Sequence, residues 1–391
     1  MGVVRSDSMR RNTIRPFIRE ALENIGQSLF LPKELKGFPR DLHIEVSNVC
    51  NLDCEYCKLK DEMPAKFIMT PETFALLKPH LQYVRSIALS GLAEPLLNKH
   101  LVRFIREIKS ESPRCLVALV TNATLLTTKL CTDLVEAGLD YIDFSIDGVD
   151  DEVVDPIRRG SSLKKVIANI RVFKQVKDAM GSPSPVMMST LVLQAKNYRQ
   201  LPQVIELAAE LGCQGVNVNG LEPYDDEMAR VTFMGAHNAP DDLPEILEQA
   251  LRKAQQAKIE LTFPSFFPLE SHCDYYKKPI IMANGDVTPC AVMAYRRGSR
   301  LKVDESAQLV PVQDVTEPLI MGNVKEKSFD AIWFSDKYKQ FRHAMKSGVF
   351  PATCDNCLLK HGLTCTQKTV SPHASVATLA KAMQERSGVL C

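Results

Sequence analysis

With 391 residues, 48 Lys plus Arg against 47 Asp plus Glu, and a net charge of +1, the chain is long enough for one large core and a smaller domain and has no global basic field to draw nucleic acid. It contains no apolar run long enough to span a membrane and no secretory h-region, so its 12 cysteines imply a reducing, cytoplasmic interior in which grouped thiols hold metal. The opening Met1-Gly2-Val3-Val4-Arg5-Ser6 fits a myristoylation pattern, but a motif this short is read as a chance match.

Residues 1–40 include an amphipathic helical stretch from Ile14 to Ile25, expected to cap the open end of the domain that follows. Strand-like apolar runs then alternate with helix-length segments. The predicted strands are Leu42–Val46, Ser86–Leu89, Leu116–Val120, Tyr141–Ser145, Val186–Val192 and Val216–Val218. Between them, Thr70–Leu81, Leu97–Lys109, Thr127–Ala137, Leu163–Asp178 and Tyr198–Leu211 carry apolar residues at helical spacing. That order predicts an α/β fold of parallel strands joined by helical crossovers, six β/α units rather than the eight of a closed barrel. In such folds ligands gather at the carboxyl ends of the strands.

The first predicted strand leads into Cys50-Asn51-Leu52-Asp53-Cys54-Glu55-Tyr56-Cys57, where one short loop offers three thiols. Three ligands leave one iron of a [4Fe-4S] cubane open, because such a cluster is ordinarily held by four thiolates. Structural zinc is the competing reading, disfavoured because no fourth ligand with zinc-site spacing lies nearby. A second cysteine group follows later. Cys273 is separated by eleven residues from Gly285 and by four more from Cys290; Cys354-Asp355-Asn356-Cys357 and Cys365 come after a long gap. Asn284-Gly285-Asp286 reads as a hairpin turn between the first pair. Four thiolates also suit tetrahedral zinc, which stays open here as the alternative. Cys115, Cys131 and Cys213 fall singly on strand or helix segments and read as buried structural thiols, and His272 and His361 as ordinary loop histidines.

The C-x3-C-x2-C spacing, with an aromatic residue before its last cysteine and a strand just upstream, resembles the radical S-adenosylmethionine (SAM) superfamily. The resemblance implies a partial (β/α)6 TIM-like barrel over residues 41–262 in which Cys50, Cys54 and Cys57 bind the cluster. It also implies that SAM chelates the open iron and is cleaved by one-electron reduction to a 5'-deoxyadenosyl radical, and that Tyr56 packs near the adenine. Ser90-Gly91-Leu92-Ala93-Glu94-Pro95 looks like the family's Gly-Gly-Glu-Pro element, which assigns Gly91, Ala93 and Glu94 to the SAM amino group, with alanine where glycine is usual. Thr121-Asn122-Ala123 resembles the family's Thr-Asn-Gly and brings in Asn122. Ser145-Ile146-Asp147-Gly148 followed by Asp155-Pro156-Ile157-Arg158 resembles a further family pattern. It implies that Ser145 bonds the ribose or methionine part and that Arg158, or its neighbour Arg159, pairs with the SAM carboxylate. By the same resemblance Val218 and Asn219 meet the adenine edge.

The second cysteine group resembles the SPASM and shorter twitch extensions, giving a small domain over residues 263–370 and a tail over 371–391. The resemblance implies one auxiliary [4Fe-4S] cluster on Cys273, Cys290, Cys354 and Cys357. Cys365 is then a spare thiol, an alternative ligand or, in an epimerase, the hydrogen donor, a role for which Cys213 is the other candidate. The implied function is hydrogen abstraction from an unactivated C–H bond, leading to oxidation or epimerisation, with flavodoxin or ferredoxin as reductant. Residues 1–40 are too few for the roughly 80-residue peptide-recognition domain of many peptide-modifying relatives. A small-molecule substrate, such as a sugar or aminocyclitol, is therefore expected ahead of a peptide or protein side chain. A non-catalytic metal-binding adaptor is the alternative of another class, and neither nucleic acid nor membrane is expected as a partner.

Overall fold

Alternation of strand and helix along the chain becomes a parallel sheet in space. The computed structural model describes residues 32–57, 65–223, 225–226, 228–229, 239–264, 266, 271–295, 301–306, 309–312, 318–363 and 368–370. Of the first compact unit, Met1–Phe38, it describes a short 3-10 helix at Lys33–Leu35; Pro39–Cys391 forms the second. The stretch from Ile14 to Ile25, Cys365 and the tail over 371–391 lie outside the described residues.

Strands β1 (Asp41–Ile44), β2 (Ser86–Ala88), β3 (Leu116–Thr121), β4 (Tyr141–Ser145), β5 (Val186–Leu193) and β6 (Gly215–Gly220) pair in that order, all parallel. A further strand, β7 (Glu260–Phe263), adds itself parallel to β6 after the helix Leu243–Ala257. The sequence reading ended at six units, and its core boundary at 262 cuts through β7. The predicted elements include neither the helix Leu243–Ala257 nor β7.

Burial alternates along β4. Ile142 and Phe144 are fully buried against the helical layer, where Phe144 meets the ring of Phe173 edge-on at 5.7 Å. Tyr141, Asp143 and Ser145 turn the other way and stay half-buried, lining the concave side of the sheet. Thr127, Asp150 and Ser162 start the helices Thr128–Glu136, Asp151–Ile157 and Leu163–Ala179 by accepting a backbone N–H with their side chains. The single helix expected over Thr70–Leu81 forms as two pieces, Pro71–Ala75 and Lys78–Leu81. Pro79 has no N–H with which to continue the first piece.

The C-terminal region continues the same sheet. Strand β8 (Ile280–Ile281) pairs parallel with β1 and antiparallel with β9 (Asp286–Thr288), which pairs with β10 (Gly322–Asn323). Between β8 and β9 the expected Asn-Gly turn is present: Gly285 has φ +97°, and Asn284 Oδ1 accepts from Asp286 N at 3.0 Å. Lys368–Val370 pairs antiparallel with β7 at the far edge, which brings the sheet to eleven strands among the described residues. No helix among the described residues is long and apolar enough to cross a membrane.

Candidate cluster and cofactor site

The loop after β1 carries Cys50, Cys54 and Cys57. Its last turn closes through Cys57 N donating to Cys54 O at 3.1 Å, and Leu52 N donates to Cys50 Sγ at 3.4 Å. Backbone pairing of Cys54 with Arg158 and of Asp53 with Arg159 stitches the loop to the segment leaving helix Asp151–Ile157. Burial pushes the Cys54 thiol up to about 12, opposed by Arg158, and raises Cys50 as well. Metal ligation needs thiolates, so loading such a site releases protons.

Asp147 is the hub of the loop's support, and no side chain in this region is better enclosed (0% exposed). Its Oδ2 accepts from Arg158 Nε at 2.6 Å and from the Tyr56 hydroxyl at 2.7 Å, while Oδ1 accepts from Val192 N at 2.7 Å. Arg158 Nη2 completes the triangle by donating to the Tyr56 oxygen at 2.7 Å. The two residues expected to meet SAM directly are therefore tied to each other through a buried carboxylate. Two of the donor groups of Arg158 are committed within the protein, which makes it first a latch on the cysteine loop. Arg159, its stand-in, is exposed and bonded to Asp53. Sequence reasoning quoted Asp147 within a motif but gave it no role.

Glu94 is likewise spent internally. Its carboxylate, 2% exposed, accepts from Leu96 N, Thr121 Oγ1 and Asn122 N at 3.1, 2.7 and 2.8 Å. Burial raises its proton affinity, and the donors from Asn122 and Thr121 oppose that. The acceptor expected for the SAM ammonium thus clamps the loop after β2 to the end of β3. Asn122 passes the clamp on: Nδ2 donates to Asn51 Oδ1 at 3.0 Å and lies 3.9 Å from Cys50 Sγ. Of the two alanines standing where the family has glycine, only Ala123 takes up the left-handed conformation, at φ +60°. Ala93 is not among the residues of positive φ. Gly91 is required for space, since a Cβ there would come within 2.8 Å of Glu45 Cγ.

Glu45 itself had escaped notice. It is buried (1% exposed) at the end of β1, accepts from Ala283 N at 3.2 Å and takes a short hydrogen bond from the Tyr295 hydroxyl. Both partners lie in the C-terminal region, so this carboxylate joins the two halves beneath Gly91. A sequence signal was available in the acidic residue interrupting an apolar strand.

Ser145 and Asn219 stand half-buried on the concave side, at the carboxyl ends of β4 and β6, where a cofactor would lie. Val218 does not. Its side chain, 0% exposed, points to the helical layer opposite Asn217 and Asn219, so only its backbone is available to an adenine. Cys213 is also displaced from a catalytic role: it precedes the amino end of β6, is 3% exposed, and burial pushes its thiol up to about 12. Cys115 and Cys131 are buried as structural thiols should be.

Cys273, Cys290, Cys354 and Cys357 line one pocket together with apolar side chains, among them Tyr276, Met293, Phe341 and Phe350. Lys360 is the one cation at its wall. Burial pushes Cys290, Cys354 and Cys357 up to about 12, and each is raised further by a neighbouring cysteine. Cys357 N donates to Cys354 O at 3.1 Å, the same turn that closes the first loop. Among the described residues no group of three His, Cys, Asp or Glu is drawn together to hold a single metal ion; the thiols instead line the pocket walls. An all-thiol donor set in an apolar surround fits an iron-sulfur cluster. Leu358 and Leu363 of this region pack with Leu221 and Met228 from beyond β6, and Tyr56 leans on the same cluster.

Comparison with known proteins agrees with this geometry. The profile of the radical SAM superfamily matches residues 44–208, and that of an iron-sulfur cluster-binding domain, SPASM, matches residues 273–358. A tungsten-containing aldehyde ferredoxin oxidoreductase cofactor-modifying protein of Pyrococcus furiosus is 26% identical over 339 residues, 82% of this chain and 87% of that protein. A probable GTP 3',8-cyclase of Sulfurisphaera tokodaii is 30% identical over 217 residues, 55% of this chain and 66% of that protein. Streptococcus suis SuiB, solved with S-adenosylmethionine, shares the fold at a TM-score of 0.57 and 17% identity, over 90% of this chain and 78% of its own. Two family profiles in the right order, on a parallel half-barrel with a thiol loop at its carboxyl end, lead to one conclusion: the chain belongs to the radical SAM superfamily and carries a C-terminal SPASM-type iron-sulfur domain.

Proposed function

We propose that the protein abstracts a hydrogen atom from an unactivated C–H bond of a small polar metabolite, leading to its oxidation or epimerisation. With the two domains come SAM binding and iron-sulfur clusters at both the core and the auxiliary position. Once bound, these cofactors supply the 5'-deoxyadenosyl radical and an acceptor or donor of single electrons. In this reading Cys50, Cys54 and Cys57 hold the core cluster, and Cys273, Cys290, Cys354 and Cys357 hold the auxiliary one. A small one-electron carrier such as flavodoxin or ferredoxin serves as reductant.

The chain's own share is orientation and dryness. Asp147, Tyr56 and Arg158 fix the cysteine loop over the concave face of the sheet, and Glu94 with Asn122 fixes the loop beside it. Ser145 and Asn219 offer polar contacts to the cofactor at the strand ends. The apolar cluster of Leu221, Met228, Leu358 and Leu363 packs against Tyr56 of the cysteine loop and gives that side chain a dry support.

The observation that carries the reading is the gathering of four cysteines, scattered from 273 to 357, around one apolar pocket. Anaerobic reconstitution tests it. The intact protein is expected to bind about eight irons per chain and to form 5'-deoxyadenosine when reductant is added, by the stoichiometry of two cubanes. Cys354→Ala should bring the iron down to about four while SAM cleavage persists. Replacing Cys50, Cys54 and Cys57 by alanine should abolish cleavage, and cleavage that survived this would sink the assignment.

A further inference from the structure

A polar ladder crosses the inner face of the half-barrel. Thr262 Oγ1 on β7 donates to Asn217 Oδ1 on β6 at 3.1 Å, and Asn217 Nδ2 donates to Asp143 Oδ2 on β4 at 2.9 Å. Thr190 Oγ1 on β5 donates to the same Asp143 oxygen at 2.7 Å. Side chains from two other strands thus converge on one carboxylate, with Thr262 bracing one of them from a third, and they use only one of its oxygens. Asp143 Oδ1 is buried and has no hydrogen-bond partner. Leaving a carboxylate oxygen so is costly, and a ladder of this kind fixes the direction in which that oxygen waits.

Beside Asp143 on the inner face stand Met188 of β5 and Val120 of β3. Val120, the register partner of Asp143 on β3, is 38% exposed although it falls on the inward-facing side of its strand. Further round the same wall the inward positions are small, Ala88 on β2 and Ala118 on β3. Ser145, one inward step above Asp143, stands at the level of the cofactor site.

The wall's charge narrows what can enter. No inward-facing position of β1 to β7 is lysine or arginine; the acidic ones are Asp41, Asp143 and Glu260. Among the described residues, three cations at the strand ends are held in ion pairs. Arg85 pairs with Asp41 at the amino ends of the strands, and Arg158 and Lys196 at the carboxyl ends pair with Asp147 and Glu55. A phosphate or carboxylate entering beside Asp143 would meet like charge and no strong donor, whereas a hydroxyl or ammonium group would satisfy the waiting oxygen.

We propose that Asp143 anchors the substrate, accepting through Oδ1 a hydrogen bond from a hydroxyl or ammonium group of a neutral or cationic amino-alcohol, and that the lumen rejects phosphorylated compounds. This rests on the reading of the barrel lumen as the place of radical chemistry and adds the substrate class to it. Burial pushes Asp143 up to about 6, with Thr190 and Asn217 opposing, so near neutral pH the group is a carboxylate that lacks full solvation.

Binding to the reconstituted holoprotein with SAM present tests the proposal by anaerobic calorimetry, using D-glucosamine as probe and D-glucosamine 6-phosphate as its anionic match. Glucosamine should bind saturably, and its phosphate at least about tenfold more weakly. Asp143→Asn should cost glucosamine about tenfold or more, the loss of a hydrogen bond to a charged group. The exchange is nearly isosteric: Oδ2 keeps its two donors, so the amide nitrogen falls where Oδ1 was and turns an acceptor into a donor. Iron content reports whether the variant has folded. If it has not, Thr190→Val carries the test, with an expected loss of a few-fold. Absence of saturable glucosamine binding, equal affinity for the phosphate, or unchanged affinity in the folded variant overturns the proposal. Deoxyadenosine formation by the unaltered protein is scored separately, and its failure would remove the proposed function instead.

Discussion

Single residues show where this chain departs from local ease. Ala123 is held at φ +60°, where its carbonyl accepts from Asn169 Nδ2 at 2.8 Å and its N–H donates to Thr121 Oγ1 at 3.0 Å. Replacing it with glycine should raise stability by about 0.5–1 kcal/mol, read from the urea midpoint of the apoprotein. His43 is the second case. Burial, and then Lys278, lower its pKa to about 4, against Asp41. Below the ordinary imidazole pKa the unfolded chain takes a proton that the folded one refuses, so His43 costs stability as pH falls through that window. His43→Gln should therefore lose about 1–2 kcal/mol less than the parent between about pH 7 and pH 5, in paired denaturant titrations. At this scale the cysteines were legible because chemistry fixes their spacing within a few positions. Asp147 and Glu45 were not, because their partners lie up to 250 residues away.

Among elements, the short ladder between the cysteine loop and Arg158–Arg159 matters more than its two residue pairs suggest. It puts the Arg158 guanidinium against Asp147, where both are almost wholly enclosed. Asp147→Asn should cost about 3–5 kcal/mol, because a buried cation loses its counter-charge. Iron in the core site should fall with it, as measured per chain in the Cys354→Ala background. By contrast, Lys129→Ala breaks an exposed pair with Asp133 and should shift stability by less than about 0.5 kcal/mol. Strands β1 to β6 and the helices between them were readable from pattern alone. The helix Leu243–Ala257, strand β7 and the break at Pro79 were not, and the break leaves the apolar spacing intact.

For the molecule as a whole, the order of β/α units and the presence of a second thiol centre could be read from sequence. How the two parts join could not. The C-terminal hairpin is hydrogen-bonded to β1 as the next strand of the same sheet, and Glu45 with Tyr295 and Ala283 locks the seam. A chain cut after residue 264 should therefore expose the edge of β1, with Glu45 short of both partners. It is expected to elute from size-exclusion columns as aggregate, whereas an independent barrel would elute as a monomer.

The same seam bears on biosynthesis. His43 pairs with Ile280, about 240 residues downstream, so a ribosome working at about 5–20 residues per second makes β1 some 10–50 s before its neighbour emerges. Through that interval the nascent half-barrel carries an unpaired strand edge, a template open to pairing with other chains.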